Sequence, residues 1–270
     1  MCKQKSYKVF VINLDRSVDR WANMHAQLEK LGMPYERSAA TDGKSCSDAF
    51  LSSYYSAILN KKHYFVDLSR GEIACYISHL NVCQKIVDLN LDYGIVLEDD
   101  IELSPLFYAV PFALNAIKHK WNYIKLMAPF KPKKALSRTP FAVEIPATCT
   151  TEKFENQNIA KSERQILAPF VFELISWNKP PCGTQAYAIT KEGAKEFLEK
   201  RSRFFRPIDV DLQYTCETLL TIEGLCPFLC KVRDIESDIR HKKTKYHRPF
   251  ARVIYKLKYM LLRAKHLNKK

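Results

Sequence analysis

The sequence predicts an α/β domain, helices layered on a mostly parallel sheet, closed by a C-terminal basic amphipathic helix. Three observations carry that reading. Between residues 8 and 127, apolar runs of strand length alternate with segments of helical spacing. Hydrophobic residues make up 47% of 270, enough for a sizeable core and too many for a disordered chain. The formal charge of +14 is concentrated: residues 239–270 carry twelve Lys or Arg and no Asp or Glu, leaving about +2 for the rest.

The elements follow in order. KVFVINL (8–14) is an opening buried strand. Ser17 is placed to cap a helix with Trp21, Met24, Leu28 and Leu31 on one face and Gly32 to stop it. YERSAA (35–40) is a second strand, ending in the turn signal Thr41-Asp42-Gly43. Ile73, Ile77, Leu80 and Val87 mark a helix over about 71–90, followed by a strand at 93–97. Ser104-Pro105 opens another helix, and NYIKLM (122–127) is a strand. Residues 130–182, rich in Lys, Pro and polar groups, read as loops and short hairpins, a substrate-facing insertion. Regular structure resumes with GTQAYAIT (183–190), whose Thr190 caps the helix EGAKEFLEKR. Pro207-Ile208-Asp209-Val210-Asp211 opens a further helix, and PFLCKV (227–232) is the last strand. In the tail, Phe250, Val253, Leu257, Met260, Ala264 and Leu267 step by three and four, with Ile254 and Leu261 widening the stripe. A basic helix of this kind suits an anionic membrane surface, or packs on the body with its basic face solvated.

Several classes are disfavoured. No run reaches the eighteen apolar residues of a membrane span, and the start, MCKQKSYKVFVINLD, lacks the apolar stretch of a signal peptide. The nine cysteines contain no C-x-x-C pair and no zinc-ligand spacing, so they read as reduced cytoplasmic thiols. Basic charge alone permits nucleic-acid binding, but no nucleic-acid motif accompanies it, and none is expected to bind.

The chemistry is densest at Glu98-Asp99-Asp100, three carboxylates that end the apolar run Ile95-Val96-Leu97. Two unit charges ~4 Å apart repel by about 1 kcal/mol in water and about 4 kcal/mol at a protein surface. A hard divalent cation, Mn2+ or Mg2+, turns that cost into a binding site. While the chain stays extended, Glu98 and Asp100 share a face and Asp99 points away. A solvated acidic turn is the bland alternative. The run lies at a strand's carboxyl end, where ligands bind in such sheets, as do Asn13 to Arg16 and Asp42. Arg16 and Arg20, a turn apart at a strand-to-helix junction, suit phosphate oxygens, or they make surface ion pairs. Glu72 and His79 share a helix face and either support the same site or, for His79, pack as a satisfied core histidine.

Asn13-Leu14-Asp15-Arg16 with Arg20, Thr41-Asp42-Gly43, Arg70 to Leu80 (RGEIACYISHL), and Leu97-Glu98-Asp99-Asp100 stand in that order. Gly183-Thr184-Gln185-Ala186-Tyr187, Pro207-Ile208-Asp209 and Glu236-Ser237-Asp238-Ile239 follow. The series resembles glycosyltransferase family 25, the lipopolysaccharide and lipooligosaccharide biosynthesis transferases, over about residues 6–240. The resemblance implies a GT-A-like (Rossmann-like) domain over 1–240, with a nucleotide-binding half of about 1–128, an acceptor half of about 129–240, and a basic tail at 241–270. It implies an inverting, metal-dependent transfer of a hexose, chiefly galactose from UDP-galactose, to a lipid-linked oligosaccharide. It makes Asp100 the first metal ligand, Asp99 the second, and His241 a third. Glu98 then meets the ribose or sugar, Asp42 the uracil or ribose, and Asn13, Arg16, Arg20, Glu72, His79, Gly183 and Thr184 complete the donor site. Asp209 is the base that takes the acceptor proton, with Asp211 next to it; a helix N-cap is the plainer role for such an Asp. Such an enzyme works on the inner face of the cytoplasmic membrane, held there by its tail.

Two other classes compete. A metal-dependent phosphohydrolase would use the same acidic strand end, but its first strand should end in an Asp with a second Asp two residues on, and here it ends in Asn13-Leu14-Asp15. A non-catalytic basic adaptor for membrane or RNA would leave the acidic run merely solvated.

Overall fold

The computed structural model describes residues 5–128, 136–145, 170–177, 179–217, 220–233 and 249–267. Its first half runs β1 (Tyr7–Asn13), α1 (Val18–Leu31), β2 (Tyr35–Ala39), α2 (Asp48–Tyr54), α3 (Ala57–His63), α4 (Arg70–Asp88), β3 (Tyr93–Glu98) and β4 (Ile101–Leu103). A 3-10 turn (Pro105–Ala109), α5 (Val110–Ala116) and β5 (Tyr123–Lys125) follow. Then come β6 (Ser137–Val143), β7 (Phe170–Ser176), β8 (Ala186–Thr190), α6 (Lys191–Arg201), α7 (Ile208–Asp211), β9 (Ile222–Cys226), β10 (Cys230–Val232) and α8 (Pro249–Leu267).

Among the described residues, eight strands form one sheet in the order β2-β1-β3-β8-β5-β9-β7-β6. The sheet is mixed rather than mostly parallel. β1 runs parallel to β2 and β3, and β5 to β9, but β8 lies antiparallel between β3 and β5, and β7 antiparallel to both β6 and β9. Strands buried on both faces read alike in either direction. The strands of both sequence halves therefore interleave in a single sheet.

Its two faces carry two cores. Val9, Val11, Ile95 and Leu97 pack with Met24 and Leu28 of α1, whereas Phe10, Ile12 and Val96 pack with Ile73, Ile77, Leu80 and Ile86 of α4. This double cover explains why β1 shows no polar alternation. Gly32 stops α1 in the left-handed conformation, at φ 55°. Ser17 does not cap α1 through its side chain; its carbonyl instead accepts from Asn13 Nδ2 at 3.0 Å and from the Trp21 N–H. Ser69 and Glu72 close a full capping box on α4, and Thr190 caps α6 by accepting from the Gly193 N–H.

Three further differences matter. The 130–182 stretch holds two seven-residue strands, β6 and β7, which extend the sheet edge. PFLCKV contributes only β10, which pairs with β4 outside the main sheet, while the unforeseen β9 takes the sheet position. α2 and α3 fill the stretch before α4, where short mixed sequences gave no periodicity. No described helix is long and apolar enough to cross a membrane.

Candidate active site

The carboxyl ends of β1 and β3 open into a pocket of about 330 Å3, walled by the turn after β2 and the start of α4. Its lining includes Arg16, Arg20, Asp42, Lys44, Arg70, Cys75, Ser78, His79, Glu98, Asp99 and Asp100. Cations thus face carboxylates across one cavity.

The acidic run is split by its partners. Glu98 ends β3 and turns toward α4: the Thr184 hydroxyl donates to its Oε1 at 2.6 Å, and His79 Nε2 stands 3.6 Å away. Burial pushes the Glu98 carboxyl up, but His79 and Thr184 together outweigh it and hold the group below its ordinary value. Asp99 turns the other way, accepting from Asn13 Nδ2 at 2.6 Å and from Arg20 Nη1 at 3.2 Å. Burial nevertheless leaves it raised. Asp100 Oδ1 is buried and has no hydrogen-bond partner among the described residues. Burial, then Glu98 and Asp99, push its carboxyl up to about 6.

The positive side is built locally. Arg16 pairs with Asp42, whose other oxygen accepts from the Lys44 N–H at 2.9 Å. Arg70, in the first turn of α4, donates to the carbonyls of Gly43 and Cys46 and pairs with Asp48, clamping that loop. Gly43 is required by this approach, since a Cβ there would lie 2.5 Å from the Arg70 carbonyl oxygen. The N-terminus of α4, at Ser69 to Gly71, also faces the cavity.

The described residues bring together most of the residues expected from the sequence, with some in supporting roles. Asn13 is 1% exposed, with its side chain shared among Asp99, Ser17 and Arg37, so it fixes Asp99 rather than a ligand. Glu72 spends its carboxylate on the Ser69 N–H and hydroxyl, a helix cap and not a pocket wall. His79 lies on the pocket floor, its Nδ1 2.9 Å from the Tyr187 hydroxyl. Thr184 donates to Glu98, and Gly183 precedes Thr184 in the same turn; neither lines the pocket.

Asp209 and Asp211, two residues apart, differ sharply. Asp209 is raised, first by burial and then by Glu98 and Glu72, against the Val210 N–H and Lys125, which lower it. It lies within electrostatic reach of Cys75, a pocket residue. Asp211, 3% exposed, accepts from Tyr76 at 2.6 Å and from Arg206 Nε at 2.7 Å, and pairs with Arg201 at 2.8 Å. Locked in that cluster, Asp211 has no free oxygen for a proton from an acceptor and is corrected to a scaffold residue.

A divalent cation fits one part of the site. The orphaned Asp100 Oδ1, crowded by two like charges, is what such an ion relieves, and Mg2+ or Mn2+ is commonly held by one or two carboxylates plus substrate phosphates. Asp99 also lines the pocket and accepts one hydrogen bond on each oxygen, from Asn13 and Arg20, which leaves each oxygen a lone pair for a cation. Among the described residues no three His, Cys, Asp or Glu converge on one point, and His241 lies outside them.

The family model for glycosyltransferase family 25 (LPS biosynthesis protein) matches residues 6–212. The chain belongs to glycosyltransferase family 25. A glycosyltransferase 25 family member of Anopheles gambiae is 34% identical over 204 residues, 72% of this chain and 28% of that protein. Procollagen galactosyltransferase 2 of Mus musculus is 30% identical over 103 residues, 37% of this chain and 16% of that protein. Procollagen galactosyltransferase 1-A of Xenopus laevis is 31% identical over 126 residues, 44% of this chain and 21% of that protein. The chain thus spans less than a third of the length of these relatives.

Within this family-25 domain, sequence reasoning assigned no role to Lys44, Arg70 or Lys125. Lys44 follows the Asp42-Gly43 turn directly, and Arg70 opens the helix that bears His79. Lys125 had the clearest signal, a lysine inside the otherwise apolar NYIKLM strand.

Proposed function

We propose that this domain transfers a hexose, galactose first, from a UDP-sugar to an oligosaccharide acceptor, with inversion and with Mn2+ or Mg2+ on the diphosphate. One observation carries the reading: a single pocket gathers Arg16, Arg20, Lys44, Arg70 and a helix N-terminus with Asp100, whose buried Oδ1 has no hydrogen-bond partner among the described residues. Guanidinium groups and helix starts suit phosphate oxygens. The bound ion would neutralise the charge that develops on UDP as the sugar–phosphate bond breaks. Glu98, held by Thr184 and His79, is presented rigidly to the ribose or the sugar. Asp209, which is not among the lining residues but lies within electrostatic reach of Cys75, which is, takes the acceptor's proton. Relatives named procollagen galactosyltransferases support galactose as the sugar.

The family description, LPS biosynthesis, supports a lipid-linked oligosaccharide as acceptor. A protein acceptor is the second reading, favoured by the names of the animal relatives. Replacing Asp209 with Asn should lower UDP release from UDP-galactose by ~10²–10⁴-fold without lowering the melting temperature. Unchanged turnover would remove Asp209 from the chemistry.

α8 supports a working place at an anionic membrane, which we assign to the inner face of the cytoplasmic membrane. It meets the body through Tyr255, whose ring lies 5.2 Å from Tyr64 and 5.6 Å from Tyr214, and through Tyr259, 4.7 Å from Tyr214. Phe250, Val253, Ile254, Leu257, Met260 and Leu261 are all exposed. At 3.6 residues per turn these six lie opposite the two tyrosines, and Lys256 and Lys258 flank them on either side. Apolar contact with lipid tails and lysine contact with anionic headgroups suit one surface. Leu257→Asp with Leu261→Asp should abolish co-sedimentation with phosphatidylglycerol vesicles and leave the tyrosine contacts intact. Undiminished binding would contradict the assignment.

A further inference from the structure

Lys125 ends β5 in the middle of the sheet, registered with Tyr187 of β8 and Gly224 of β9, and is 1% exposed. A lysine this deep ordinarily has a carboxylate against it. Lys125 has no ion pair among the described residues; its Nζ donates to the carbonyl of Gly183. Gly183 stands at φ +98°, and the next residue, Thr184, delivers its hydroxyl to Glu98. The ammonium thus lies under the 182–184 turn, within electrostatic reach of Cys182, Asp209 and Glu98. Burial pulls it down to about 8, while those three neighbours pull the other way.

The groups acting on Asp209 explain why a cation is retained there. Burial, Glu98 from β3 and Glu72 from α4 disfavour its charged form, and Lys125 from β5 and the Val210 N–H favour it. Cys182, which hydrogen-bonds it, Cys75 and Tyr64 are the other titratable groups that face it. Of the side chains acting most strongly on Asp209 among the described residues, Lys125 is the cation.

We propose that Lys125 is a positioning residue for the transfer reaction: a fixed buried cation that keeps Asp209 a carboxylate and clamps the Gly183 turn that carries Thr184 to Glu98. The proposal rests on the assignment of Asp209 as the base. A lysine kept for stability and a lysine kept for chemistry respond oppositely to methionine, which has similar length and no charge. Methionine removes the burial penalty of a charge that has no ion pair among the described residues, and that gain offsets the lost bond to the Gly183 carbonyl.

The test combines the melting temperature of Lys125→Met with an NMR titration of the Asp209 carboxyl carbon, assigned by its loss in Asp209→Asn. The variant should melt no lower than the wild type, and the Asp209 midpoint should rise by about one pH unit, a tenfold change in its ionisation ratio. The acid limb of UDP release from UDP-galactose should move with it. A variant that unfolds or melts lower, or an Asp209 midpoint that stays in place, overturns the proposal. A midpoint that moves while Asp209→Asn retains full turnover overturns the base assignment instead, so the two failures read out separately.

Discussion

Two regions of this molecule gather charge, and they treat it in opposite ways. In the cluster of Arg201, Arg206, Asp211 and Glu217, both Asp211 oxygens meet guanidinium groups, and Tyr76 adds a hydrogen bond. Arg206 is also stacked, its guanidinium 3.8 Å from the Tyr214 ring centre and 4.5 Å from that of Phe205. At the end of β3, three adjacent carboxylates share fewer partners among the described residues, and Asp100 keeps a buried oxygen with none. Satisfied charge builds a scaffold, and unsatisfied charge marks where a ligand completes the structure. The scaffold cluster also holds α7, and with it Asp209, in place.

Mutations at the two regions should therefore move stability in opposite directions. The largest effect is expected for Asp211→Ala, which leaves buried guanidinium charge uncompensated and should cost about 3–5 kcal/mol in denaturant unfolding. A loss under ~1 kcal/mol would mean the cluster is not the scaffold described here.

Asp100→Asn should do the reverse. With the folded-state carboxyl raised to about 6, the ionised form is disfavoured in the fold, so stability should rise as pH falls from neutral through that value. At pH 7.5 in EDTA the variant should gain about 2–3 kcal/mol, or about 4–8 °C in melting temperature, and the gain should vanish near pH 4. Turnover should be lost all the same. A variant less stable than wild type at pH 7.5 would break the contrast.

The smallest effect is expected for Tyr76→Phe, about 1.5 kcal/mol for one hydrogen bond to a charged group that keeps its arginines. No change at all would show that the arginines alone satisfy Asp211.

The sequence was most informative where the signal is local. The opening strand, the Gly32 stop, the α4 periodicity and the acidic strand end all lie within short windows. Glu98 and Asp99 diverge as an extended chain requires. What depended on distant partners was illegible. Nothing near Asp211 announces that Tyr76, 135 residues away, would donate to it, so it stood beside Asp209 as a second candidate. The direction of β8 was hidden for the same reason: a strand buried on both faces carries no mark of orientation. Lys125 was legible in principle, since a lysine in a buried strand breaks the pattern. The tail stripe could be seen in sequence, but not that two tyrosines on the opposite face would hold the helix and turn the stripe outward.

The central claim is that the pocket between Arg16 and Asp100 is completed by a nucleoside diphosphate and a divalent cation. Calorimetric titration of UDP into the protein, first with manganese and then with EDTA, tests it most directly. The account predicts saturable binding with manganese, much weaker binding in EDTA, and loss of that difference in Asp100→Asn. Binding of equal strength with and without the metal would contradict the role given to Asp100, and no binding under either condition would contradict the pocket's assignment altogether.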